Sequence, residues 1–154
     1  MGNRDDHHLT GKFALIGTWR LVSVTSTTAK GEVIENPYGL NPKGFLTYTG
    51  DGRQIGIITS GGRKALSVND HVSAPVEERA EALATMVSYA GRYTFTGDTV
   101  THHVEAASVQ NWVNTDLTRF VKLEGNRLTL RTTPGDFVGG VQLACEELVG
   151  EDGL

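Results

Sequence analysis

Alternation of apolar and polar residues dominates this chain, and it is clearest between Gly91 and Thr133. Two turn signals, Gly97-Asp98 and Gly125-Asn126, each stand between β-rich runs. Folding about the first sets Phe95 opposite Val100, Tyr93 opposite His102 and Gly91 opposite Val104. Folding about the second sets Leu123 opposite Leu128, Val121 opposite Leu130 and Arg119 opposite Thr132. Partners across a ladder share a face and neighbours alternate. Each hairpin therefore has an apolar face carrying one polar intruder, His102 in the first and Arg119 in the second. A polar group on an apolar face is costly unless paired, so these two residues mark the candidate site.

The rest of the chain supplies further short strands. Leu15 to Thr25 reads as a strand with Trp19, Leu21 and Ser23 on one face and Arg20, Val22 and Val24 on the other; Trp19 is expected to plug one barrel end. Thr28 to Lys43 holds Gly31, Asn36-Pro37, Gly39 and Asn41-Pro42, which is loop chemistry with one short strand about Val33-Ile34. Tyr38, between the two Asn-Pro turns, is placed over a barrel mouth. A third hairpin turns on Gly50-Asp51-Gly52 and pairs Tyr48 with Gln54 and Leu46 with Gly56. Both of its alternate faces contain apolar residues, so the pattern leaves its inner face open. Lys64 to Val68 reads as a short edge strand. Gly139 to Val149 reads as the last strand, with Val141, Leu143 and Cys145 on one face.

One helix is expected, from Ser73 to Tyr89. Ser73 or Asp70 can cap it, Pro75 fits its first turn, and Glu77 and Glu78 suit the helix dipole. Val76, Ala80, Leu83, Met86 and Val87 form an apolar stripe, read as core packing, with a lid over a cavity as the alternative. Gly91 is expected to end the helix. About nine strands, one helix and turn signals roughly every 8 to 12 residues point to an all-β antiparallel barrel.

Composition narrows the function. The 154 residues fit one domain, assigned to residues 13–150 after a loose lead-in over residues 1–12 that includes His7 and His8. Net charge is −4 and basic residues do not cluster, which argues against a nucleic-acid partner. No apolar run reaches membrane-spanning length, and the N-terminal run lacks a signal-peptide core, so a cytoplasmic location is the default expectation. Cys145, the single cysteine, leaves no intramolecular disulfide or cysteine-based metal cluster. Phosphate-loop, dinucleotide and hydrolase-elbow motifs are missing, so the reading is cofactor-free. His102-His103 is no metal pair, because adjacent strand residues point to opposite faces; His103 is expected outside.

Two readings stand for each intruder. His102 is a general base or ligand donor, since its ordinary pKa lies near neutrality, or a buried histidine satisfied by a hydroxyl or backbone group. Arg119 grips an anionic or carbonyl ligand, or pairs with Asp116 or Glu105 and stacks on Trp19. A guanidinium close to His102 would favour neutral imidazole. Asn111-Trp112, between the two hairpins, is a plug or a stacking surface. Cys145 is expected as a small buried core residue, with a nucleophile as the alternative.

Several runs together resemble the bacterial and fungal lipocalin-like domain family: Gly17-Thr-Trp-Arg-Leu, Asn36-Pro-Tyr-Gly, Gly44 to Gly52, Tyr89-Ala-Gly-Arg-Tyr, His102-His-Val-Glu-Ala, Asn111-Trp-Val and Thr115-Asp. The likeness extends from about Leu15 to Leu148. It implies a calycin-type barrel with an internal cavity, used in related small barrels by carriers or by cofactor-free isomerases, cyclases and lyases. Three positions depart from the pattern, which has an apolar residue at Gln54, Pro at Gln110 and Trp at Cys145. The last is expected to enlarge the cavity, and Gln54 to add a polar contact. The resulting expectation is a cofactor-independent isomerase, cyclase or lyase for a hydrophobic metabolite, with a non-catalytic carrier as alternative and homodimerisation left open. His102 and Arg119 would be catalytic; Tyr48, Gln54, Tyr93, Asn111, Trp112 and Cys145 would contact the substrate.

Overall fold

The computed structural model describes residues 12–28, 30–132 and 140–148. Apart from Lys12, the N-terminal lead-in with His7 and His8 lies outside them. A 3-10 turn, Lys12–Leu15, leads into β1 (Gly17–Thr27), followed by β2 (Val33–Glu35), β3 (Lys43–Tyr48) and β4 (Arg53–Thr59). A nine-residue helix, α1 (Val76–Ala84), precedes β5 (Met86–Phe95), β6 (Thr99–Ala107), β7 (Asp116–Glu124), β8 (Arg127–Arg131) and β9 (Gly140–Glu147). Every pairing is antiparallel, in the order β1-β3-β4-β5-β6-β7-β8-β9, and β9 pairs back to β1. This closes an eight-stranded barrel, a size that leaves room for side chains or one small ligand. β2 pairs only with Thr25 to Thr27 at the far end of β1.

All three hairpins take the register read from the sequence: Tyr93 faces His102, Val121 faces Leu130, and Tyr48 faces Gln54. The last ladder ends at Phe120–Arg131, one pair short of Arg119 and Thr132. The open question about β3 and β4 is resolved. Leu46, Tyr48 and Gln54 point inward, while Phe45, Ile55 and Ile57 are exposed.

Three expectations require correction. On β1, a bulge between Leu21 and Ser23 reverses the alternation, so Val24 is buried and Ser23 is exposed. Period 2 cannot be carried through an inserted residue. Lys64 to Val68 forms no strand. The helix ends at Ala84, and Met86 to Tyr89 belong to β5. Its N-cap is Pro75 without a side-chain bond, and Asp70 instead accepts from the Val72 amide at 3.0 Å. Val76 and Leu83 are 66% and 54% exposed, and α1 buries none of its residues. The apolar spacing at Val76, Ala80 and Leu83 is helical, but Val87, Tyr89, Gly91, Tyr93 and Phe95 alternate as a strand. The period-2 signal, overlapping the helical one, decides the segment.

Gly91 therefore does not break a helix. It lies within β5 at a bulge opposite Val104 to Ala106, where a Cβ would stand 1.9 Å from the His103 carbonyl oxygen. Only glycine permits that approach.

The packed core fills one end of the barrel. Leu15, Trp19, Tyr93, Val100, Leu128 and Leu130 are all buried in one cluster. The Trp19 Nε1–H donates to the Leu15 carbonyl at 2.9 Å, fixing the 3-10 turn over that end. The Tyr93 hydroxyl donates to the Thr49 carbonyl at 2.9 Å, tying in the β3–β4 turn.

Candidate functional site

Above this packed end the barrel holds a cavity of about 300 Å³. That is space for about ten waters or one small organic molecule. Its two walls differ. On one side β1, β8 and β9 present Leu21, Leu130, Leu143 and Cys145. On the other, β4 to β7 present Gln54, Tyr89, His102 and Arg119. The inward positions Gly44 and Gly56 contribute no side chain, and Tyr38 and Trp112 close over the cavity from the connecting segments.

His102 is the centre of the polar wall. It is buried, and both ring nitrogens are occupied. The Tyr48 hydroxyl lies 2.6 Å from Nε2, and the Tyr89 hydroxyl 2.7 Å from Nδ1. Burial, together with the nearby Arg119 charge and a smaller contribution from His103, holds the His102 pKa down at about 3. The ring is thus neutral near pH 7, carrying one N–H. One tyrosine accepts from it and the other donates to it. Both phenols are themselves held above the ordinary tyrosine pKa by burial, and Arg119 pulls against that rise in each.

Arg119 reaches the cavity from β7, two residues along from Leu117, which pairs with His102. Its guanidinium donates to the Thr118 carbonyl at 3.1 Å. Among the described residues it has no carboxylate partner. The two candidate carboxylates are engaged elsewhere: Glu105 binds Arg53 at 2.9 Å and Arg92 at 3.3 Å, and Asp116 binds His103 at 2.9 Å. Both lie on the outer face, as alternation along β6 and β7 requires. His103 sits outside with them.

The other candidates divide. Gln54, Trp112 and Cys145 line the cavity. Tyr48 lies behind His102 rather than in the lining. Tyr93 belongs to the packed end, its ring edge-on to Tyr48 at 4.7 Å. Asn111 is exposed in the Gln110–Trp112 turn. Sequence reasoning missed Tyr89, because it assigned that residue to the helix; the alternation from Val87 to Phe95 was the available signal. Tyr89 also meets Trp112 edge-on at 6.2 Å, joining the polar wall to the cover. Burial pushes the Cys145 thiol up to about 12, which removes the thiolate a nucleophile needs. Among the described residues no three His, Cys, Asp or Glu side chains converge to hold a metal ion, and no helix is long and apolar enough to cross a membrane.

Gln54 stands apart from the other polar residues. It is 2% exposed, and among the described residues neither its Oε1 nor its Nε2 has a hydrogen-bond partner. Buried side-chain amides are normally satisfied.

The family model of the lipocalin-like domain matches residues 16–138. No curated protein matches the chain. Among solved structures, an uncharacterized protein from Bacteroides eggerthii is 14% identical over 87% of this chain and 99% of its own, with a TM-score of 0.45. A redesigned β-barrel is 14% identical over 88% and 92%, with a TM-score of 0.43. The wild-type fluorescent protein UnaG is 12% identical over 88% and 98%, with a TM-score of 0.40.

Proposed function

This chain belongs to the lipocalin-like domain family, and on that premise we propose that its barrel binds a small hydrophobic molecule, with an electron-rich end of that molecule turned to Arg119. The observation that carries the reading is the cavity of about 300 Å³ with a guanidinium in its lining and, among the described residues, no carboxylate beside it. An apolar lining supplies affinity through surface removed from water. A cation in that setting favours a carboxylate, phenolate, enolate or carbonyl oxygen. Tyr38 and Trp112 supply flat apolar cover over the bound molecule.

A cofactor-independent isomerase, cyclase or lyase is the second reading. It draws on the Tyr48–His102–Tyr89 chain of hydrogen bonds, which ends near Arg119. Binding is the better supported of the two. A histidine held at about 3 is a weak base near pH 7, and both of its nitrogens are already engaged.

The test is fluorescence titration with 8-anilinonaphthalene-1-sulfonate, displaced by 2-naphthoate. Saturable binding at one site is expected, and Arg119→Met should weaken 2-naphthoate by about tenfold, the equivalent of one charge-assisted hydrogen bond. Failure of both anions to bind the folded protein would overturn the reading. Mass spectrometry of compounds recovered from the purified protein separates the two functions. A compound returned unchanged after incubation supports binding. A compound altered by the wild type but not by His102→Ala or Arg119→Ala supports the enzyme.

A further inference from the structure

Resting on the binding reading, we propose that Gln54 sets the specificity of the cavity, selecting molecules that present a hydrogen-bond donor and an acceptor side by side. Primary amides, lactams and other cis-configured amides have that arrangement.

The Gln54 side chain points inward from β4 and lines the cavity. It is fully buried, with both amide atoms unpartnered among the described residues. Its cross-strand neighbours are Tyr48 on β3 and Gly91 on β5. The next inward position on its own strand is Gly56. Two of the three adjacent inward positions therefore carry no side chain to pair with the amide. At Gly91 none is possible, since a Cβ there would meet the His103 carbonyl at 1.9 Å. At Gly56 a Cβ would press to 3.2 Å on Leu46 Cδ1. The third neighbour, Tyr48, has its hydroxyl committed to His102. The fold thus keeps protein partners away from an amide that faces a space of ligand size.

The chemistry of the amide then defines the complement. Oε1 accepts and Nε2 donates, from adjacent atoms in one plane. A carboxylate only accepts and would leave Oε1 unpaired; a ketone or ester does the same. A group carrying N–H and C=O on the same side satisfies both atoms at once, as two amides do when they pair edge to edge. Arg119 lies three strands away on β7, so a molecule can offer its electron-rich end to the guanidinium and its amide edge to Gln54. The leucines and Cys145 of the opposite wall then cover its apolar face.

The experiment compares two probes of one shape, 2-naphthamide and 2-acetonaphthone, in which a methyl replaces the NH2. Affinities are read by calorimetry on the wild type, on Gln54→Met (similar length and width, no amide) and on Gln54→Leu as a second variant should the first fold poorly. The wild type is expected to bind the amide about tenfold or more tighter than the ketone, the equivalent of one buried polar group left unpaired. Either variant should bring the two affinities within about twofold, mainly by weakening the amide. If the wild type binds both probes equally, or a folded variant keeps the tenfold preference, the inference fails while the binding reading stands. If the wild type binds neither these probes nor 8-anilinonaphthalene-1-sulfonate, the binding reading fails and this inference with it.

Discussion

His102 should make the barrel sensitive to acid well above the range in which carboxylates titrate. Its pKa falls from 6.5 in the unfolded chain to about 3 in the fold, because burial, and then the Arg119 charge, disfavour the imidazolium. Between those two values the unfolded state binds a proton that the folded state refuses. Stability is therefore complete above about pH 6.5 and declines as pH falls towards 3. Each pH unit in that window is worth about 1.4 kcal/mol, so about 2 kcal/mol is lost by pH 5. The perturbation is His102→Gln. A glutamine can still meet both tyrosine hydroxyls, but it has no proton to gain. Urea denaturation of both proteins at half-unit steps from pH 7.5 to 5 measures the effect. The variant starts lower, and the gap should narrow by about 2 kcal/mol across the window. The depressed carboxyls of Asp51, Asp70 and Glu105 titrate below it, and the other histidines are common to both proteins. Parallel curves would refute the assignment of a buried neutral imidazole between two tyrosines.

Three further outcomes follow from the geometry. Gly91→Ala should cost at least about 3 kcal/mol, seen as a lower urea midpoint or as insoluble protein, because the clash at 1.9 Å is with backbone that cannot rotate away. Cys145, held at about 12, should react with a thiol reagent only under denaturing conditions; rapid labelling of the folded protein would contradict its burial. Cys145→Trp replaces a small lining residue by a large one in a cavity of about 300 Å³. In a protein that remains folded, 2-naphthoate affinity should fall by about tenfold or more if the cavity is the binding site.

Much of the barrel was legible in the chain because turns and alternation report it locally. Gly97, Gly125 and the Gly50 to Gly52 turn set three registers, and each register places a row of side chains inside or outside. That rule alone places His102 inside. The failures have physical causes. The bulge at Leu21 to Ser23 adds one residue without any mark in composition, so Ser23 and Val24 exchange faces. At Met86 to Tyr89 a helical stripe runs directly into a strand, so the apolar spacing continues past the end of the helix. The overlap hides Tyr89, the partner of His102. The contents of the cavity were less legible than its walls. Whether Arg119 meets a carboxylate depends on which face Glu105 and Asp116 occupy, and on which outer-face cations claim them. Those are tertiary facts.

The polar wall then reads as a division of labour between satisfied and unsatisfied groups. Tyr48, His102 and Tyr89 satisfy one another, and a network closed in that way stiffens the barrel without requiring a ligand. Such a network is compatible with many bound molecules, and it explains why a buried histidine can be kept without a catalytic duty. Gln54 and Arg119 differ in kind. Among the described residues Gln54 is buried and unpaired, and Arg119, half-buried, brings a charge to the cavity lining with no carboxylate beside it. A buried amide left open in this way lowers the stability of the empty fold and regains that free energy only when something complementary enters. Gln54→Met should therefore raise the urea stability of the ligand-free protein, by about 1 to 3 kcal/mol, although core substitutions ordinarily destabilise. A destabilised Gln54→Met protein would mean that the amide is satisfied in solution and that specificity has to be sought at Arg119 alone.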